Sequence, residues 1–194
     1  MKTSSPTSDA ILAHARTLIA SGGYNGFSYA DIAEAVGIRK ASIHHHFPAK
    51  ADLVRTLVAR YREDVEAGIA QLERGVPEPL AQLQAYVRYW ETCLADGSMP
   101  YCVCAMLGSE LPLLPPEVAL EVRAHFRFLS AWLASVLERG VRQGTIRLAG
   151  PARVEAEAFM ATVHGAMLSA RAYGDPAMFG IILAPLLQRL PASR

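Results

Sequence analysis

Two clusters of side chains in this 194-residue chain have types and spacings suited to chemistry. The first is Arg39, Lys40, Ser42, His44 and His45, followed after Pro48 by Lys50. All of these side chains donate hydrogen bonds and three are fixed cations, which suits the phosphates and base edges of a nucleic acid. The second is the pair Cys102 and Cys104, within Tyr101-Cys102-Val103-Cys104-Ala105-Met106-Leu107-Gly108-Ser109-Glu110-Leu111. It offers thiols to an electrophile or an oxidant, provided one is held as the thiolate. A start of a helix after Pro100 would favour that form through the positive end of the helix dipole. The run His44-His45-His46 raises metal binding, but successive helical residues point about 100° apart, so three neighbours cannot converge on one ion. Cys-x-Cys is poor metal spacing too, and on a helix its members face nearly opposite ways, which disfavours a disulfide within the pair. No metal or other cofactor is expected.

The elements that must position these groups are all helical. From Ile11 onward apolar residues recur at helical spacing, and strand-like alternation is nearly absent, so the fold class is all-α. A tail over residues 1–8 precedes a first helix from about Asp9 to Ser21, stopped by Gly22-Gly23. Ser28 caps a second helix, with Asp31 as its capping-box partner, and Gly37 ends it. A third short helix over 39–46 must finish before Pro48. Longer helices are expected at about 49–73, 79–95, 99–111, 116–143, 151–173 and 176–190, with glycines and prolines between them. The elements read as two parts, a helix-turn-helix part of short helices over 9–48 and a long-helix part over 49–194.

Composition bounds the function. At 52% hydrophobic and 19% charged, the chain buries a real core. Its net charge of +1 hides an asymmetry: residues 1–60 carry seven Lys/Arg against four Asp/Glu, a net of +3, and the remainder nets −2. The N-terminal third is therefore aimed at an anion. Three cysteines form no complete disulfide framework, no secretory leader is visible and no apolar run reaches membrane-spanning length, so a reducing cytoplasm is expected and membrane insertion is not.

Residues 28–47 hold two short helices joined at a glycine, the layout of a helix-turn-helix. Ala33 is small where the helices cross, and Ile32, Val36, Ile38 and Ile43 supply a miniature core. The backbone amides at Ser28 and Tyr29, with Lys50, are placed to grip phosphates. Lys40, Ala41 and Ser42 are the expected base-edge readers of the major groove, flanked by Arg39, His44 and His45. An ordinary helical corner is the plain alternative. The stretch from about Ile11 to Leu57, through the strings GYNGFSYADIAEAVGI and RKASIHHHFPAKADL, resembles the N-terminal domain of TetR-type transcriptional repressors. The resemblance covers about a quarter of the chain and implies a double-stranded DNA operator as partner. Where that family usually carries two aromatics before His-Phe, this chain has His44 and His45; His46, Phe47 and Lys50 match, with Phe47 expected in the core.

Behind the head, small side chains recur through 151–173 (Ala158, Ala161, Thr162, Gly165, Ala166, Ser169, Ala170), and 176–190 is rich in Phe, Ile and Leu. The resemblance implies that these two helices pair with their copies, giving a homodimer suited to a two-half-site operator; the alternative is that both stripes fill the monomer core. A small-molecule pocket among the middle helices is expected from Tyr89, Trp90, Met106, Phe126, Trp132, His164 and Arg171, with Tyr86, Arg123 and His125 as further candidates. Cys102, followed eight positions later by Glu110-Leu111, resembles a branch of the family that includes electrophile-sensing NemR-like and acrylate-responsive AcuR-like repressors; Tyr101 departs from the branch's glycine, Cys104 is extra to the pattern, and Cys93 reads as core. The expected function is a repressor released by a small, electrophilic molecule at Cys102 or Cys104. Noncovalent induction with structural cysteines is the alternative, and a thiol-dependent enzyme is the remote one, since no catalytic arrangement is recognisable.

Overall fold

The computed structural model describes residues 5–99 and 101–192, and the chain is all-α. Residues 1–4 of the expected tail, and Pro100, lie outside the described residues. The first helix, α1 (Pro6–Gly22), begins three residues before the expected Asp9. Ser5 Oγ accepts the Ser8 N–H at 3.2 Å, and Pro6 occupies a first-turn position where no N–H is needed. Then follow α2 (Tyr29–Val36), α3 (Lys40–His46), α4 (Lys50–Gly75) and α5 (Pro79–Ala95). The remaining helices are α6 (Val103–Ser109), α7 (Pro116–Arg142), α8 (Ala152–Tyr173) and α9 (Ala177–Arg189). Among the described residues, no helix is long and apolar enough to cross a membrane.

Most boundaries follow their sequence signals. Gly37 ends α2 in the left-handed region, φ 72° and ψ 34°, where its N–H reaches back to the Ala33 and Glu34 carbonyls; a side chain there would be strained. The element expected over 99–111 is the exception. Its helical part is only α6, and a 3-10 turn (Leu111–Leu113) continues it, because Pro112 contributes no N–H and pushes Leu111 out of regular helical geometry.

The chain gathers into two compact units. Met1–Asp64 joins Tyr101–His125 in the first, and Val65–Pro100 joins Phe126–Arg194 in the second. The expected head over 9–48 thus lies wholly in the first unit, together with α6. Ile11, Ala15, Ile19, Ile32 and Ile43 form the interior of the head and are fully buried; each isoleucine side chain contributes roughly 1.5–3 kcal/mol. In the second unit α8 packs on α9, around Phe159, Val163, Phe179 and Leu183. Buried Gln82 is satisfied on both ends, donating to the Val76 carbonyl at 2.6 Å and accepting from Arg139 at 2.7 Å, while Arg139 also reaches Glu73 at 2.9 Å.

Candidate nucleic-acid interface and its link to α6

The head presents a short, rigidly backed basic surface. Ser28 N–H donates to Asp31 Oδ2 at 2.6 Å, which holds the Asp31 carboxyl below its ordinary range, and Ser28 Oγ accepts the Ala30 N–H at 3.1 Å. The capping box therefore occupies the Ser28 amide and leaves the first-turn amide of Tyr29 as the donor available to a phosphate. The Tyr29 side chain is a strut instead of a contact. It is buried and donates its hydroxyl to the Phe47 carbonyl at 2.9 Å, and burial pushes its phenol up to about 12.

On α3, Ile43 and, just beyond the helix, Phe47 are buried, which turns Arg39, Lys40, Ala41, His44 and His45 outward; Ser42 is half-buried. His44 is the more constrained of the exposed imidazoles. Its ring sits edge-on to Tyr29 at 4.8 Å, and its Nδ1 lies 3.3 Å from the Pro48 carbonyl oxygen, a contact that needs the proton on Nδ1. Lys50 is held at the base of the head. Its ammonium donates to the Phe27 carbonyl and lies 4.1 Å from the Phe27 ring centroid and 5.0 Å from that of Tyr24. Burial lowers its pKa against the attraction of Asp31 and Glu110.

The cysteines differ from expectation in one respect that matters chemically. Cys102 caps α6 as its N-cap residue, yet Cys102 and Cys104 are 1% and 0% exposed. Burial pushes both thiols up, Cys104 well up, so neither is the exposed thiolate that a helix start suggested. The Cys102 sulfur nonetheless has company that opposes burial: the Tyr61 hydroxyl at 3.5 Å, the amides of Ala105 and Cys104, and the Arg16 cation. Arg16, from α1, lies over the Tyr61 ring at 5.2 Å from its centroid and lines, with Leu12, Leu57, Arg60 and Tyr61, a cleft of about 170 Å³. Neither Arg16 nor Tyr61 was singled out by spacing, because each acts only through partners distant in sequence. Cys93 is buried, as expected of a core thiol.

The expected pocket residues are divided between the two units. Met106 is half-buried on α6 in the first unit, whereas Trp90, Trp132, Phe126 and His164 belong to the second. Trp90 and Trp132 are buried; Phe126 packs edge-on to His164 at 5.3 Å. Among the described residues, the ring nitrogens Trp90 Nε1, Trp132 Nε1 and His164 Nε2 are buried without a hydrogen-bond partner, and burial pulls His164 down to about 4. Tyr89 is 52% exposed, and Arg171 and Arg123 are exposed as well, so none of the three lies inside a single chain's core. His125 is buried, 5.5 Å from the Tyr61 ring.

The chain is similar to known proteins over most of its length. Residues 11–57 match the family described as bacterial regulatory proteins, tetR family, and residues 79–184 match the tetracyclin repressor-like C-terminal domain. A TetR-family transcriptional regulator from Agrobacterium tumefaciens is 63% identical, with a TM-score of 0.94 over 96% of this chain and 98% of that one. A TetR transcriptional regulator from Legionella pneumophila is 27% identical, with a TM-score of 0.86 over 98% of this chain and 100% of that one. The HTH-type transcriptional repressor KstR2 of Rhodococcus jostii is 28% identical over 137 residues, 69% of this chain and 64% of the relative, so the match spans less than two thirds of that repressor's length.

Proposed function

Because the chain belongs to the tetR family of bacterial regulatory proteins, which are DNA-binding transcription factors and not enzymes, we propose that it is a cytoplasmic, ligand-responsive repressor. On this reading it binds a palindromic operator as a homodimer and is released when a small molecule acts on its C-terminal part. The observation that carries the reading is the outer face of α3: Arg39, Lys40, Ala41, His44 and His45 exposed together on a helix backed by buried Ile43 and Phe47. A helix so fixed enters a major groove with its N-terminal residues toward the bases. The partial relative KstR2, a transcriptional repressor, favours repression over activation. A stripe of exposed small and apolar residues on α8, Val154, Ala158, Ala161, Gly165 and Leu168, supports pairing with a second copy, since small side chains let two helices approach.

The experiment is a fluorescence-anisotropy titration with a labelled duplex from upstream of the chain's own gene. Wild type binds it saturably at low salt, with affinity falling steeply as salt rises. Lys40→Ala weakens that binding by about 1–3 kcal/mol. Absence of saturable binding at low salt contradicts the proposal.

For release, the three orphaned ring nitrogens of Trp90, Trp132 and His164 favour a noncovalent effector. Buried donors without partners mark places where a water or a ligand's polar group belongs. Covalent sensing is the second reading, favoured by the Tyr61 hydroxyl and Arg16 around the Cys102 sulfur. Cys102→Ser separates the two: covalent sensing predicts that N-ethylmaleimide no longer releases the variant from DNA, with its affinity for DNA retained.

A further inference from the structure

One side chain ties α6 directly to the DNA-binding head across 86 positions of sequence: Glu110 Oε2 accepts the backbone N–H of Tyr24 at 2.6 Å. Tyr24 stands in the turn between α1 and α2, immediately after Gly23 and four residues before the capping box at Ser28. Two features show that the turn is shaped around this carboxylate. Gly23 is buried with φ 75°, a conformation that favours glycine, and a Cβ built on it would meet both Glu110 carboxylate oxygens at 2.6 Å, so any side chain there would displace the carboxylate. The Tyr24 N–H makes no other hydrogen bond among the described residues, so without Glu110 a part-buried donor would be left unsatisfied. Lys50 lies close enough to feel the Glu110 charge and pins the far side of the same turn through the Phe27 carbonyl.

We infer that Glu110 is a positioning residue for DNA binding: its carboxylate clasps the α1–α2 turn to the end of α6 and thereby fixes where Ser28 and the Tyr29 amide meet the phosphates. The inference rests on the repressor reading and adds to it the residue through which a change at α6 reaches the head. The clasp depends on reach and on an acceptor oxygen more than on charge. Glu110→Gln keeps an oxygen at the same distance; Glu110→Asp keeps the charge but shortens the side chain by one methylene.

The test has two arms. Amide hydrogen exchange, read by NMR on the free protein, follows Tyr24 in wild type, Glu110→Gln, Glu110→Asp and Glu110→Ala. Loss of this hydrogen bond speeds its exchange about tenfold in the Asp and Ala variants, with Gln close to wild type and the interior amides of α1 unchanged. The second arm is the anisotropy titration with the upstream duplex, in which the Asp and Ala variants bind about tenfold more weakly and Gln restores most of the affinity. Should Glu110→Ala fail to fold, the comparison of Asp with Gln decides. Unchanged Tyr24 exchange, or Asp like wild type and Gln like Ala, overturns the clasp. Equal DNA affinity in all four proteins overturns the positioning role. A wild type that ignores the duplex brings down the repressor reading, and the positioning role with it.

Discussion

His164 carries a pH dependence that can be worked out from its surroundings. Packed against Phe126 with Nε2 buried, its imidazole titrates near 4 in the folded chain, against about 6.5 in an unfolded one. Above pH 6.5 it is neutral in both states. As pH falls from about 6.5 toward 4 the unfolded state takes up a proton that the folded state refuses, so stability is lost across that window. Urea unfolding of wild type and His164→Phe at pH 7 and pH 5 checks this: the variant should lose less stability on acidification, and an equal loss in both would show that His164 is solvated. At this scale the sequence told residue type better than residue state. Arg39, Lys40, His44 and His45 were legible because exposure follows from helical periodicity. The cysteines were not: a helix start suggested a thiolate, but neighbours such as Tyr61 and the enclosing core decide the protonation, and they come from other segments. Glu110 was visible only as a position in a motif, since its partner Tyr24 lies 86 residues away.

Among the elements, the helices were legible wherever a local signal ended them. The capping box at Ser28, Gly37, Pro48 and the Pro79 start all fell where expected, because caps and breakers act within one turn. The shortfall is α6, where Pro112 converts the expected last turn into a 3-10 turn and the chain enters through Cys102 in an extended conformation. The two readings of the small residues on α8 divide between them: Ala166 and Ala170 are core, while Ala158, Ala161 and Gly165 are exposed. Leu168 and Ile181, 56% and 61% exposed, extend the outer apolar surface onto α9. If this surface pairs with a copy, Leu168→Glu combined with Ile181→Glu converts a dimer to a monomer in sedimentation velocity at micromolar concentration, since charges buried in a helix interface have no partner. A wild type that sediments as a monomer, or a variant that stays dimeric, would contradict that interface.

For the molecule as a whole, pairing of the basic head with a second copy would make an effector's work mechanical. Simultaneous contact requires two α3 helices roughly 34–36 Å apart to match successive major grooves, so a small change in their separation ends it. The head's motif made the DNA-binding part legible in the sequence, whereas the surroundings of Arg16 and Tyr61 in one unit and of Trp90, Trp132 and His164 in the other are set by partners distant in sequence and appear only once folded. The most direct measurement is hydroxyl-radical footprinting of the purified protein on the duplex upstream of its own gene at low salt. The account predicts two protected half-sites of inverted sequence, centred about one helical turn or a multiple of it apart, both lost together in Lys40→Ala. Protection of a single half-site, protection without sequence symmetry, or no protection would contradict it.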